Sequence, residues 1–208
     1  MAETQRTEVS GWTLEVTRSW ASTTQPEPSA EHEASHAVMT DLLPLGPDDD
    51  GVLRVAVVAP GEQAPSLVAR LGYDAGGGFG ADALLVPETS RVFLGGGTRM
   101  ICYAHAEGRW RRQWEREVEV GFRGLARHGG TVVMSAELEL AAWSLDGERP
   151  WSAWVEPPWG YEVDGDRLRL DVMGKRSVLD LNSGSVVADQ DGAARRFVTR
   201  LGGLRSRD

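Results

Sequence analysis

The sequence predicts a mainly β protein: antiparallel, blade-like repeats with one short N-terminal helix. Three observations predict it. Apolar and polar residues alternate with period two over most of the chain after residue 51. Three similar stretches start at Arg91, Thr131 and Arg167, 40 and then 36 residues apart. Helix signals are confined to residues 30–43.

Residues 1–10 carry no apolar pattern and read as a frayed start. Gly11–Trp20 reads as a strand, because Trp12, Leu14 and Val16 alternate with Thr13, Glu15 and Thr17. Gln25–Ser29 is a linker holding Pro26 and Pro28. Ser29 is placed to cap a helix over 30–43, with Glu31 and Glu33 at its positive end and Pro44 stopping it. Val52–Ala59 and Leu67–Leu71 read as strands, and Asp74–Gly80 as a glycine loop.

Each repeat then has a strand, a short break, a second strand and a turn ending in glycine: Gly108, Gly147 and Gly184. Asp146-Gly147 and Asp164-Gly165 are hairpin signals. A spacing near 40 built of short strands fits a partial or small propeller, or the same strands folded as a sandwich. An array that does not close leaves sheet edges open, so a homodimer through those edges is one expected way of capping them. The pattern Tyr103, Gly108, Trp110 and again Trp143, Gly147, Trp151 resembles the repeats of PQQ-like and WD40-like propeller families, over roughly residues 80–190. Thr131–Trp143 also resembles the core of a group of small bacterial proteins of unknown function. The resemblance implies an architecture and no particular activity.

The chain divides into an acidic segment (1–50), a β-repeat region (51–190) and a basic tail (191–208). Its 208 residues are enough for one continuous core, and 41% hydrophobic against 25% charged residues is a globular composition. The net charge is −9, and residues 1–50 hold ten acids against two arginines. That segment repels phosphate, so neither nucleic acid nor an anionic membrane is an expected partner. The lone cysteine, Cys102, and an N-terminus without an apolar stretch point to the reduced cytoplasm.

Two sets of residues could carry function. His32-Glu33-Ala34-Ser35-His36 reads HExxH. On a helix, histidines four apart share a face and can hold one zinc, with the glutamate activating bound water. His32–Pro44 resembles the zinc segment of the membrane-anchored AAA protease family, which implies His32 and His36 as ligands and Glu33 as general base. Ser35 stands where that family has glycine. The other reading is a surface helix that packs Ala34, Ala37, Val38 and Leu42 inward. The second set is aromatic: Trp151, Trp154, Trp159 and Tyr161, around the linker Glu156-Pro157-Pro158. Rigid aromatics on such a linker suit a protein or sugar surface, and blade tryptophans also serve as core between sheets. Arg109–Arg116 mixes arginines with Trp110 and Trp114, and the alternation puts both tryptophans on one strand face.

The expected function is a non-enzymatic protein-interaction scaffold of the bacterial cytoplasm, the profile of an immunity or accessory protein, with no cofactor. The alternatives are a zinc-dependent hydrolase using His32, Glu33 and His36, and a carbohydrate-binding module using Trp151, Trp154 and Trp159.

Overall fold

The computed structural model describes residues 2–20 and 39–189. Among the described residues seventeen strands form four sheets, and none of these sheets closes on itself. The first sheet has the order β1-β2-β4-β5-β3. Its strands are β1 (Ala2–Val9), β2 (Trp12–Trp20), β3 (Met39–Leu42), β4 (Gly51–Val58) and β5 (Leu67–Tyr73). The second holds β6 (Ala81–Val86), β7 (Arg91–Gly96), β8 (Arg99–Ala106) and β9 (Arg109–Glu117). The third holds β10 (Phe122–His128), β11 (Thr131–Ala136), β12 (Glu139–Ser144) and β13 (Trp151–Trp154). The fourth holds β14 (Trp159–Asp164), β15 (Arg167–Val172), β16 (Lys175–Asp180) and β17 (Val186–Asp189). Each of the last three is a four-strand antiparallel meander.

Apolar alternation explains how the sheets stack. On β7, Val92 and Leu94 face the first sheet, while Phe93 faces the third. On β11, Val132 and Met134 face the second sheet, and Val133 faces the fourth. The two middle sheets are therefore buried on both faces, which is why their strands read as nearly continuous apolar runs. The fourth sheet is apolar on one face only: Leu168 and Leu170 point inward, and Arg167 and Arg169 point out. Three apolar clusters join first to second, second to third and third to fourth. Among the described residues no cluster joins the first sheet to the fourth.

Three sequence expectations change. Residues 2–10 are not frayed: β1 pairs with β2 along its whole length, through a Ser10-Gly11 turn whose residues both have positive φ. The strand carries no apolar face because all eight of its residues are exposed. The part of the expected 30–43 helix that lies among the described residues is strand β3, parallel to β5, making this one pairing an exception to antiparallel order. The cause is tertiary. Met39 packs on the core, and Asp41 accepts hydrogen bonds from Tyr103 Oη (2.8 Å) and from Arg112 Nε and Nη2 (both 2.9 Å). Residues 21–38, with the proposed cap Ser29 and the HExxH sequence, lie outside the described residues. Trp110 and Trp114 lie on opposite faces of β9. Cys102 pairs with Trp114 and Tyr103 with Arg112, so Gln113 is an extra residue, and such a bulge reverses the facing of the strand residues beyond it. In the first sheet β2 pairs with β4 and β3 with β5. Among the described residues no helix is long and apolar enough to cross a membrane.

Candidate functional site

A four-strand antiparallel meander starts and finishes at the same end. The links between sheets therefore gather at one end of the stack, together with the middle hairpin of each meander. This loop face comprises the links 74–80, 118–121 and 155–158 and the turns 97–98, 137–138 and 173–174. Backbone hydrogen bonds stitch it across sheet boundaries. Phe122 N donates to Gly97 O at 2.7 Å, and Glu137 N to Val120 O at 2.9 Å. Val155 N donates to Leu138 O at 3.0 Å, and Met173 N to Pro158 O at 2.9 Å.

Two turns on this face are unusual. Val120 (φ 49) and Met173 (φ 54) each precede a glycine that also has positive φ. Such paired left-handed residues favour asparagine or aspartate first and glycine second. A β-branched valine there is a backbone outlier. Neither side chain recovers that cost by burial, since Val120 is 46% and Met173 60% exposed.

Between these turns stands Trp159, at the start of β14. Its indole Nε1 donates to Glu137 O at 2.8 Å, and its ring stacks on Tyr161 at 6.4 Å and 22°. The guanidinium of Arg123 lies over the indole at 6.0 Å and also pairs with Glu137. The ring is half-buried against the cluster between the third and fourth sheets. Tyr161 is half-buried as well, and burial raises the pKa of its hydroxyl above the ordinary value.

Of the four aromatic candidates, the fold thus brings Trp159 and Tyr161 into contact. Trp154 ends β13 at the same end of the stack and is 54% exposed. Trp151 lies in the core, with Nε1 donating to Leu181 O at 2.8 Å. Trp143 is core as well. His32, Glu33 and His36 fall outside the described residues. Among the described residues, no group of three or more His, Cys, Asp or Glu is arranged to hold a metal ion.

Several groups on this face escaped the sequence reading. A cleft of about 500 Å³ opens beside Val120, lined by Asp49, Asp74, Glu117 and Glu119 with Phe79 and Val118. Glu139, at the start of β12, is buried. It accepts from Arg149 Nη1 at 3.2 Å and from Glu119 N at 3.4 Å, and burial pushes its pKa up. The available signal was the pair of dipeptides Val120-Gly121 and Met173-Gly174, where an apolar residue precedes the glycine of a turn.

No known protein family matches this chain, and no curated protein matches it in sequence.

Proposed function

We propose that the chain is a non-enzymatic protein-interaction scaffold of the bacterial cytoplasm, with blade-like, propeller-type sheets whose loop face binds another protein. One observation carries the reading: Val120 and Met173 stand exposed on left-handed backbone at two turns of the loop face. Strain retained without compensating packing is a feature of binding sites. Trp159 sits among them as a half-buried aromatic anchor, the residue type that dominates binding energy at interfaces. The blade reading is supported by the three meanders and by matching tryptophan seats. Trp114 Nε1 donates to Gly147 O, and Trp151 packs on Gly184. The two tryptophans and the two glycines are each 37 positions apart (114 to 151, 147 to 184).

The test uses Val120→Asn and Met173→Asn, which suit the turns better than the native residues. Partners are first identified by a photoreactive residue at position 173, with position 183 at the opposite end as control. The expected result is unchanged or higher stability with about tenfold weaker partner binding, or about 1.4 kcal/mol. Undiminished binding by both variants, or capture only from position 183, overturns the loop-face reading. One zinc per chain, lost in His32→Ala, selects the hydrolase instead.

A further inference from the structure

We propose that strand β1 pairs antiparallel with β1 of a second copy of this chain, joining two first sheets across a two-fold axis at Thr7. The surface is separate from the loop face, and the inference does not rest on that face binding a partner.

The first argument compares the edges of the four sheets. Among the described residues β1 has β2 as its one neighbour, and all eight of its own residues are exposed. Natural sheet edges are blunted by shortness, bulges, proline or covering groups. The other edges of this molecule follow that rule. β3, β13 and β17 have four residues each. β9 and β10 each carry a register shift. β6 is tied to β2, where Arg18 Nε donates to Ala81 O at 2.6 Å, and the ring of Tyr161 ties β14 to His128 of β10. β1 has none of these devices. It is eight residues long, without proline or glycine, in unbroken register with β2. It therefore offers about 26 Å of unpaired backbone edge.

The second argument is the direction of the backbone groups. Val9 and Trp12 flank the two-residue turn Ser10-Gly11, so they form a hydrogen-bonded pair. Alternation then turns the N–H and C=O groups of Glu3, Gln5, Thr7 and Val9 toward β2. Those of Ala2, Thr4, Arg6 and Glu8 face the open edge. A second β1 must set these outward residues opposite one another. The two-fold axis consequently passes through a residue and not between two residues.

The third argument is charge. An axis at Glu3, Arg6 or Glu8 sets like charges directly opposite, which is destabilising. An axis at Thr4 or Gln5 sets every charge opposite an uncharged residue. An axis at Thr7 sets Arg6 opposite Glu8 and Glu8 opposite Arg6. These two already form an ion pair of 2.8 Å within the strand. In the paired strands four charges then alternate in sign on one face of the joined sheet. The Gln5 axis gives a longer ladder without that complementarity, and the experiment separates the two. The contact is isologous, so one pairing covers the β1 edge of both copies and leaves none for a third.

The test uses the full-length chain. The contact is small, so sedimentation equilibrium at about 100 µM should show a dimer. Thr7→Cys reads the register. On the axis the two Thr7 residues form a non-hydrogen-bonded pair with Cα atoms about 4.5 Å apart, within disulfide reach. The native Cys102 is buried and does not compete. Mild oxidation should link copies of Thr7→Cys roughly tenfold or more faster than copies of Gln5→Cys, whose residue 5 faces Val9 of the second copy. Arg6→Glu and Glu8→Arg should each weaken the dimer about tenfold, with far-ultraviolet spectra like the parent's. An equal mixture of these two variants should dimerise as the parent does, because opposite charges again meet across the axis. A parent that stays monomeric, linkage through Gln5→Cys as fast as through Thr7→Cys, or charge reversals without effect overturns the proposal. None of these outcomes bears on partner binding through Val120 and Met173.

Discussion

Gly184 makes room for an indole. Its φ is 67, and a Cβ built there would stand 2.6 Å from Trp151 Cγ. Gly184→Ala therefore combines left-handed strain, about 1 kcal/mol, with overpacking of about 1–3 kcal/mol. Gly165 has a similar φ of 61, and a Cβ there meets nothing within 4 Å. Gly165→Ala should show the backbone cost alone, about 1 kcal/mol. Urea unfolding of the two variants measures the difference, and equal losses would show that the indole does not need the space Gly184 leaves. Cys102 allows a second prediction at this scale. It is fully buried in the cluster between the second and third sheets, and burial pushes its thiol up to about 12. Only the thiolate reacts, so iodoacetamide at pH 8 should leave the native protein unmodified and label it as urea unfolds it. Rapid labelling without denaturant would contradict that burial. Trp159 is half-buried against the cluster between the third and fourth sheets, and its indole Nε1 is hydrogen-bonded to Glu137 O.

At the scale of elements, the legible parts were those where one physical signal acts alone. Alternation located β2, β4, β5 and the paired strands of each repeat, because burial on one or both faces dictates those residues. The turn glycines 108, 147 and 184 all have positive φ, the conformation their position after a strand required. Strand β1 was invisible because an exposed strand places no apolar demand on sequence. Strand β3 was obscured because four residues with Met39 and Asp41 inward carry too short a pattern to outweigh nearby helix signals. The β9 bulge was hidden because Gln113 resembles any strand residue, although it decides which cluster Trp114 joins. On the loop face, the aromatic content was legible, whereas the acidic cleft combines residues from 49 to 121 that only the fold brings together.

Strand β12 gives a pH prediction. Glu139 is buried and its pKa is raised chiefly by desolvation, so the native state binds its proton more tightly than the unfolded state does. Its contribution then favours folding more as pH falls through the raised native value toward the unfolded one, and less as pH rises. Glu88 and Asp180 act in the opposite sense, because hydrogen bonds lower their pKa values. Comparing the parent with Glu139→Gln between pH 4 and 8 isolates the first effect. The variant should gain stability relative to the parent as pH rises, with Arg149 rehydrated at its partly exposed position. Parallel stability curves would show that Glu139 is fully compensated in the fold.

The whole molecule behaves as a stack in which each sheet packs on its neighbours. In such arrays stability is approximately a sum of units and nearest-neighbour interfaces. The second and third sheets each contribute to two clusters, and the first and fourth to one. The fourth is the weaker end. Its inward face supplies Leu168, Leu170, Leu179 and Leu181, and it finishes in the four-residue strand β17 with Val186 and Val187 exposed. The first sheet instead joins a larger cluster through Trp12, Leu53, Val55, Leu71 and their neighbours. Native-state hydrogen exchange should therefore be slowest in β7, β8, β11 and β12. It should be faster in the fourth sheet, whose strands open together as one unit below the global unfolding free energy. Leu168→Ala, a core truncation costing about 2–5 kcal/mol, should speed exchange throughout β14–β17 and leave β4 and β5 unchanged. A ring closed between the first and fourth sheets would give a different outcome. Both faces of each would then be covered, and the same substitution would speed exchange in β4 and β5 as well. The spread of the effect across sheets thus distinguishes an open stack from a closed one.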